Sequence, residues 1–196
     1  MRFIAFDLDN TILDYRTSLH QLKLDRAELN KISAHTKADF RLRVIAEFGE
    51  DYWTELQGFL YTEYVAYSRI EPKFVDLLKY LGANQWQTSI ISHKTKFPYL
   101  GPKLNMRDCA LKRLEVAGIE KLLTNGVHFF ATKEEKIDYI NSVKPNIYID
   151  DLEEILDLLS NKITRLLFSS SSPESTSKYN LVYDWCSVYK YLEVEA

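Results

Sequence analysis

The sequence predicts an α/β protein, a doubly wound parallel sheet carrying a small helical cap, and three observations predict it. Short apolar runs alternate with amphipathic helical stretches along the second half of the chain, a pattern that calls for crossover connections and a parallel sheet covered on both faces. Several of those runs end in polar or charged residues, at Asp7, Ser92, Lys133 and Asp150. In open parallel sheets ligands bind beyond the carboxyl ends of the strands. Finally, the first two strands are separated by far more chain than one crossover needs, which marks an insertion.

The elements follow in order. Strands are expected at RFIAF (2–6), TSII (88–91), VHFF (127–130), NIYI (146–149) and RLLF (165–168). Helices are expected at MRDCALKRLEVAG, KEEKIDYINSV and DLEEILDLLS, between the last four strands. Residues 14–71 read as a helical cap, with Phe40, Val44 and Phe48 on one stripe and Trp53, Leu56, Leu60, Tyr64 and Tyr67 on another. Pro72 suits the first turn of a further helix, whose core face is Phe74, Leu77, Leu78 and Leu81 and whose end is expected at Gly82. The core then comprises 1–13 plus 72–196, and SSSSPESTS (169–177) reads as a surface loop.

Composition narrows the function classes. With 196 residues the chain fits one domain carrying a modest insertion, and 46% apolar residues are ordinary for a globular protein. A net charge of -3 argues against a general nucleic-acid binder. Cys109 and Cys186 form neither a close pair nor a metal-spaced cluster, which fits a reduced, cytoplasmic protein. The N-terminal apolar run is broken by Asp7 before it could serve as a signal-peptide core, and no window suggests a membrane span.

Four places along the chain carry chemistry. Asp7 and Asp9 end the first strand in FDLDNT, where carboxylates cost several kcal/mol in desolvation unless a cation compensates them. One carboxylate can attack phosphorus while its neighbour protonates the leaving oxygen and later activates water. Ser92 offers a hydroxyl at a strand end, and His93, Lys94, Lys96, Lys103 and Arg107 after it create a positive field suited to an anion. Thr132 and Glu135 have the spacing of a capping box, which makes Lys133 the first helical residue at the positive helix mouth. Lys136 lies one turn further on and is the second choice. Asp150 and Asp151 end a strand as Asp7 does. If Asp7 and Asp150 belong to adjacent strands, their oxygens converge on a point that suits Mg²⁺. Asp151 would also serve as a helix N-cap with Glu154 at N3.

Taken in this order, FDLDNT, Ser92, Lys133 and the Asp150-Asp151 pair resemble the four motifs of the haloacid dehalogenase superfamily. The resemblance implies a Rossmann-like core, Mg²⁺ dependence and an aspartyl-phosphate intermediate. It further implies Asp7 as nucleophile, Asp9 as acid/base, and Ser92, Thr11 and Lys133 as the phosphate-binding set. Asp7, Asp9, Asp150 and Asp151 form the implied metal site, Asp9 through its backbone carbonyl. The second aspartate of the first motif is the mark of phosphatases rather than dehalogenases. The third motif departs from the commoner Lys-Pro or Lys-Gly form, which leaves Lys133 and Lys136 both open. The stretch ISHKTKFPYLGP is also similar to a subgroup associated with bacterial surface-polysaccharide pathways.

A small phosphorylated substrate, a phosphosugar or a nucleotide, is the expected partner. The cap is expected to exclude water from the site, and its aromatic residues Phe48, Tyr52, Trp53, Phe59, Tyr61, Tyr64 and Tyr67 could either stack on substrate or pack the cap's own core. A catalytically weak protein that binds phosphate or a partner is one alternative, though neither Asp9 nor Lys133 is lost. A phosphatase for nucleic-acid ends is another. It ranks lower because basic residues 16–43 give way to Glu47, Glu50, Asp51, Glu55 and Glu63. Oligomeric state has no signature in the sequence.

Overall fold

A computed structural model describes residues 2–34, 37–169 and 178–194. Six parallel strands form one sheet in the order β3-β2-β1-β4-β5-β6. These are β1 (Phe3–Phe6), β2 (Gln87–His93), β3 (Val127–Phe130), β4 (Ile147–Asp150), β5 (Thr164–Phe168) and β6 (Asn180–Val182). The helices are α1 (Arg16–Asp25), α2 (Lys37–Phe48), α3 (Glu50–Tyr61), α4 (Pro72–Ala83), α5 (Met106–Val116), α6 (Lys133–Val143), α7 (Glu153–Asp157) and α8 (Trp185–Val194). All five expected strands are present. The sixth strand and α8 add an element pair that the apolar runs did not announce, because β6 is only three residues long. Residues 170–177 of the expected surface loop lie outside the described residues.

The chain divides into two units. The sheet unit takes 1–13, 70–94 and 117–196. Successive side chains of a strand point to opposite faces, and β1 shows this directly. Ala5 joins Ile91, Tyr148, Ile137, Ile140, Ile155 and Leu156 in one buried cluster. Phe6 instead meets Phe74 of α4 and Trp185 of α8, at ring-centroid distances of 5.3 and 5.9 Å. Pro72 opens α4 as its position demands, and Phe74, Leu77, Leu78 and Leu81 are all buried. The helix runs one residue past Gly82, to Ala83.

The helical unit takes 14–69 together with 95–116. The expected boundary of the cap, 14–71, is therefore redrawn. Residues 70 and 71 go with the sheet, while α5 and the loop before it group with the helices. The physical reason is local packing. Arg113 of α5 donates to the carbonyl of Ser68 from both Nε and an Nη, at 3.1 and 2.7 Å. Gly58 on α3 and Gly101 in the loop also let two backbones touch, since a Cβ at Gly58 would stand 2.2 Å from the Leu100 oxygen. Leu22, Leu29, Ile32, Phe40, Val44, Trp53 and Leu56 form this unit's own core.

Most of the cap's aromatic residues are occupied within that unit. Trp53 packs edge-on against Phe40, Tyr61 against Tyr15, and Phe59 lies under the Arg26 guanidinium. The hydroxyls of Tyr52 and Tyr64 donate to Glu28 and Asp25. Tyr67 is exposed.

Candidate active site

Asp7 is the first residue past β1, and its amide donates to the Ile149 carbonyl of β4 at 2.8 Å. Because β1 lies between β2 and β4, the carboxyl ends of three adjacent strands bring together Asp7, Asp150 and Ser92. The chain then turns tightly. Ile12 and Leu13 both donate to the Leu8 carbonyl, and Asn10 takes a left-handed conformation that asparagine tolerates better than most residues. Asp9 and Thr11 sit on this turn.

The buried centre is Lys136. Its ammonium donates to Asp7 Oδ1 and to Asp150 Oδ2, each at 2.7 Å, and its side chain is only 2% exposed. Lys133 does not reach the carboxylates. It is partly exposed and pairs with Glu154 at the surface. The capping box at Thr132 and Glu135 is present as expected, and the lysine beside Asp7 and Asp150 is Lys136, the second choice, rather than Lys133. The reason lies in helix geometry. Side chains lean back toward the helix N-terminus, so a residue covers the turn before its own Cα. Lys133, at the first position, leans off the end of α6. Lys136 lies with Ile137 and Ile140 on the buried stripe and leans back into the site. A lysine in step with an apolar stripe was the available signal.

Asp150 is completely buried, and three donors account for it. Oδ1 accepts the Leu152 amide at 2.9 Å, while Oδ2 accepts from Lys136 and lies 3.2 Å from the Tyr148 hydroxyl. That hydroxyl is also 3.0 Å from the Ile91 carbonyl, so its single proton is shared between β2 and β4. Tyr148 was not singled out from the sequence, where it reads as one more strand residue. Asp151 is not the cap of α7, whose N-cap position is Leu152. The Asp150 carboxylate closes the turn by taking the amide two residues on. Asp151 instead contributes to the acidic cluster.

Asp7, Asp150 and Asp151 each offer an oxygen, and these lie within 4.8 Å of one another. Three hard oxygen donors of this kind are what Mg²⁺ takes, with water completing its octahedron. Burial pushes the Asp7 carboxyl well above its ordinary range. The Lys136 ammonium opposes this, while Asp150, Asp151 and Asp9 reinforce it. Burial disfavours the Lys136 ammonium, but Asp7, Tyr148 and Asp150 outweigh it and hold the group protonated. One ammonium thus faces several carboxylates, and a divalent cation fits the remaining imbalance. The Asp9 carboxylate has a different partner, the buried ammonium of Lys94 at 2.7 Å.

The Thr11 and Ser92 hydroxyls are buried and have no hydrogen-bond partner among the described residues. A buried hydroxyl without a partner costs about 1–3 kcal/mol, which a ligand oxygen would recover.

No family model matches the chain, and no curated protein matches it. Solved structures do. A predicted phosphatase from Clostridium acetobutylicum superposes with a TM-score of 0.66 at 15% identity, over 100% of this chain and 99% of that one. A haloacid dehalogenase-like family hydrolase from Streptococcus pneumoniae gives 0.64 at 15% identity, over 98% of both chains. A hydrolase of the same type from Bacillus subtilis, solved bound to magnesium, gives 0.62 at 14% identity, over 97% and 98%. The chain has the fold of the haloacid dehalogenase-like hydrolases.

Proposed function

We propose that this protein is a Mg²⁺-dependent phosphatase that hydrolyses a small phosphomonoester, a phosphosugar or a nucleotide, through an aspartyl phosphate on Asp7. The observation that carries the reading is the buried Asp7–Lys136–Asp150 cluster at the carboxyl edge of the sheet, with Asp9 two residues beyond the nucleophile. Asp7, Asp150 and Asp151, together with the backbone carbonyl of Asp9, would hold the metal. When bound, it supplies positive charge to the phosphoryl oxygens and offsets the repulsion between carboxylate and substrate.

The remaining work falls to the chain. An Asp7 carboxylate oxygen attacks phosphorus and the bond to the ester oxygen breaks, with Asp9 giving that oxygen a proton. Asp9, now a carboxylate, takes a proton from water as the water oxygen attacks the phosphorus held on Asp7. Inorganic phosphate leaves and Asp7 is regenerated. Lys136 balances charge on Asp7 throughout, and the Thr11 and Ser92 hydroxyls donate to the phosphoryl oxygens.

The test is a panel of phosphorylated metabolites assayed for phosphate release with and without Mg²⁺. Release that depends on the metal, together with beryllium trifluoride trapped on Asp7, is the expected result. No release from any ester in the presence of Mg²⁺ would overturn the reading.

A further inference from the structure

Lys94 is the second buried ammonium of the sheet unit's site. It follows β2 directly, and its amide donates to the Phe130 carbonyl at 2.9 Å, so the β2–β3 ladder fixes its backbone. Its side chain is 2% exposed and that of Asp9 17%. A lysine buried to this degree is costly unless it is paired, and its ammonium lies 2.7 Å from Asp9 Oδ2. Asp9 itself sits on the turn after β1 rather than on a strand. The pair therefore ties a turn residue to a rigid sheet edge.

From this geometry we infer that Lys94 is a positioning residue that acts through Asp9, holding its carboxylate by Oδ2 where it meets the leaving-group oxygen. The inference rests on Asp9 as the acid/base of the proposed phosphatase. Proton transfer needs a heavy-atom approach of about 2.6–3.2 Å, and a carboxylate free to rotate spends much of its time outside that range. Lys94 also supplies one positive charge beside Asp9, which balances the carboxylate left there once its proton has gone to the leaving oxygen. Lys136 performs the corresponding service for Asp7 and Asp150. The two lysines thus divide the site, one on the nucleophile and metal side and one on the leaving-group side.

The experiment uses the full chain with Mg²⁺ and two esters, phenyl phosphate and 4-nitrophenyl phosphate. kcat and KM are measured for the wild type, Lys94→Met, Lys94→Arg, Asp9→Asn and the Lys94→Met/Asp9→Asn double variant. Misplacing a reacting group by an ångström can cost about 10²-fold, so Lys94→Met should lower kcat for phenyl phosphate by that order with KM little changed. The loss should be smaller for 4-nitrophenyl phosphate, whose leaving group needs no proton, and Lys94→Arg should recover part of it. In the Asp9→Asn background, Lys94→Met should cost no more than about twofold further. Losses that multiply in the double variant, equal losses on both esters, or a rise in KM alone would overturn the inference. Should Lys94→Met fail to fold, Lys94→Gln carries the same comparison. A wild type that releases no phosphate from these two esters or from any of the phosphorylated metabolites would overturn the proposed function and this inference with it, whereas an active wild type with multiplying losses would overturn this inference alone.

Discussion

Asp7 and Asp9 stand two residues apart and meet different cations, Lys136 for one and Lys94 for the other. This division separates the consequences of altering them. Under the proposed mechanism, Asp7→Asn removes the attacking carboxylate and should abolish both turnover and trapping of beryllium trifluoride. Asp9→Asn keeps a nucleophile and should lose about 10²- to 10⁴-fold, the usual cost of a missing acid/base. The 4-nitrophenyl ester should recover part of its first step, which a burst of nitrophenolate would report. An adduct on Asp9 or Asp150 instead would reverse the roles. The two lysines of α6 separate in the same way. Lys136→Ala leaves two buried carboxylates without their shared cation and should reduce turnover by more than about 10²-fold. Lys133→Ala breaks only a surface pair, worth about 0–1 kcal/mol, and should stay near wild type in both activity and melting temperature. The opposite ranking in folded variants would move the site to the helix mouth.

At the scale of elements, α8 and the loop before α5 bear the most direct tests. Trp185 of α8 is buried against Phe74 and Phe168, with ring centroids 4.5 and 4.8 Å away. Truncating such a side chain typically costs about 3–5 kcal/mol. Trp185→Ala should therefore lower the denaturation midpoint strongly, and a shift within the error of surface variants would show that α8 is not part of the core. Gly58 has a narrower role. A methyl there would meet the Leu100 carbonyl at 2.2 Å and the Pro98 side chain at 3.1 Å. The loop must then move from α3. Overpacking of this kind costs about 1–3 kcal/mol, so Gly58→Ala should destabilise the protein and speed hydrogen exchange in residues 96–104 more than in the sheet.

At the scale of the whole molecule, the proposed metal binding would be linked to stability. A cation that binds the folded chain and not the unfolded one stabilises it by about 2.7 kcal/mol at a hundredfold excess over its Kd. The donor set of Asp7, Asp150 and Asp151 predicts that the melting temperature rises with Mg²⁺ and that chelation reverses the rise. Asp150→Asn should flatten that response, with or without substrate present. A response unchanged in Asp150→Asn would place the binding elsewhere. Calorimetry with and without Mg²⁺ reads this response; no described helix is long and apolar enough to cross a membrane.

The sequence by itself determined the alternation of strands and helices, the strand-end carboxylates and the capping box of α6. Each of these is written in neighbours a few positions apart, through hydrophobic period or a cap hydrogen bond. Those signals survive without any knowledge of what packs against them. The tertiary structure decided which lysine meets Asp7, since that contact joins residues 129 positions apart. It also decided that Lys94 meets Asp9 across 85 positions, and that a strand tyrosine joins Asp150 to the Ile91 carbonyl. Residues 95–116 joined the helical unit for the same reason. Local preferences set where an element starts and which face it buries. The direction in which a long side chain reaches, and the charge it meets there, depends on packing between segments distant along the chain.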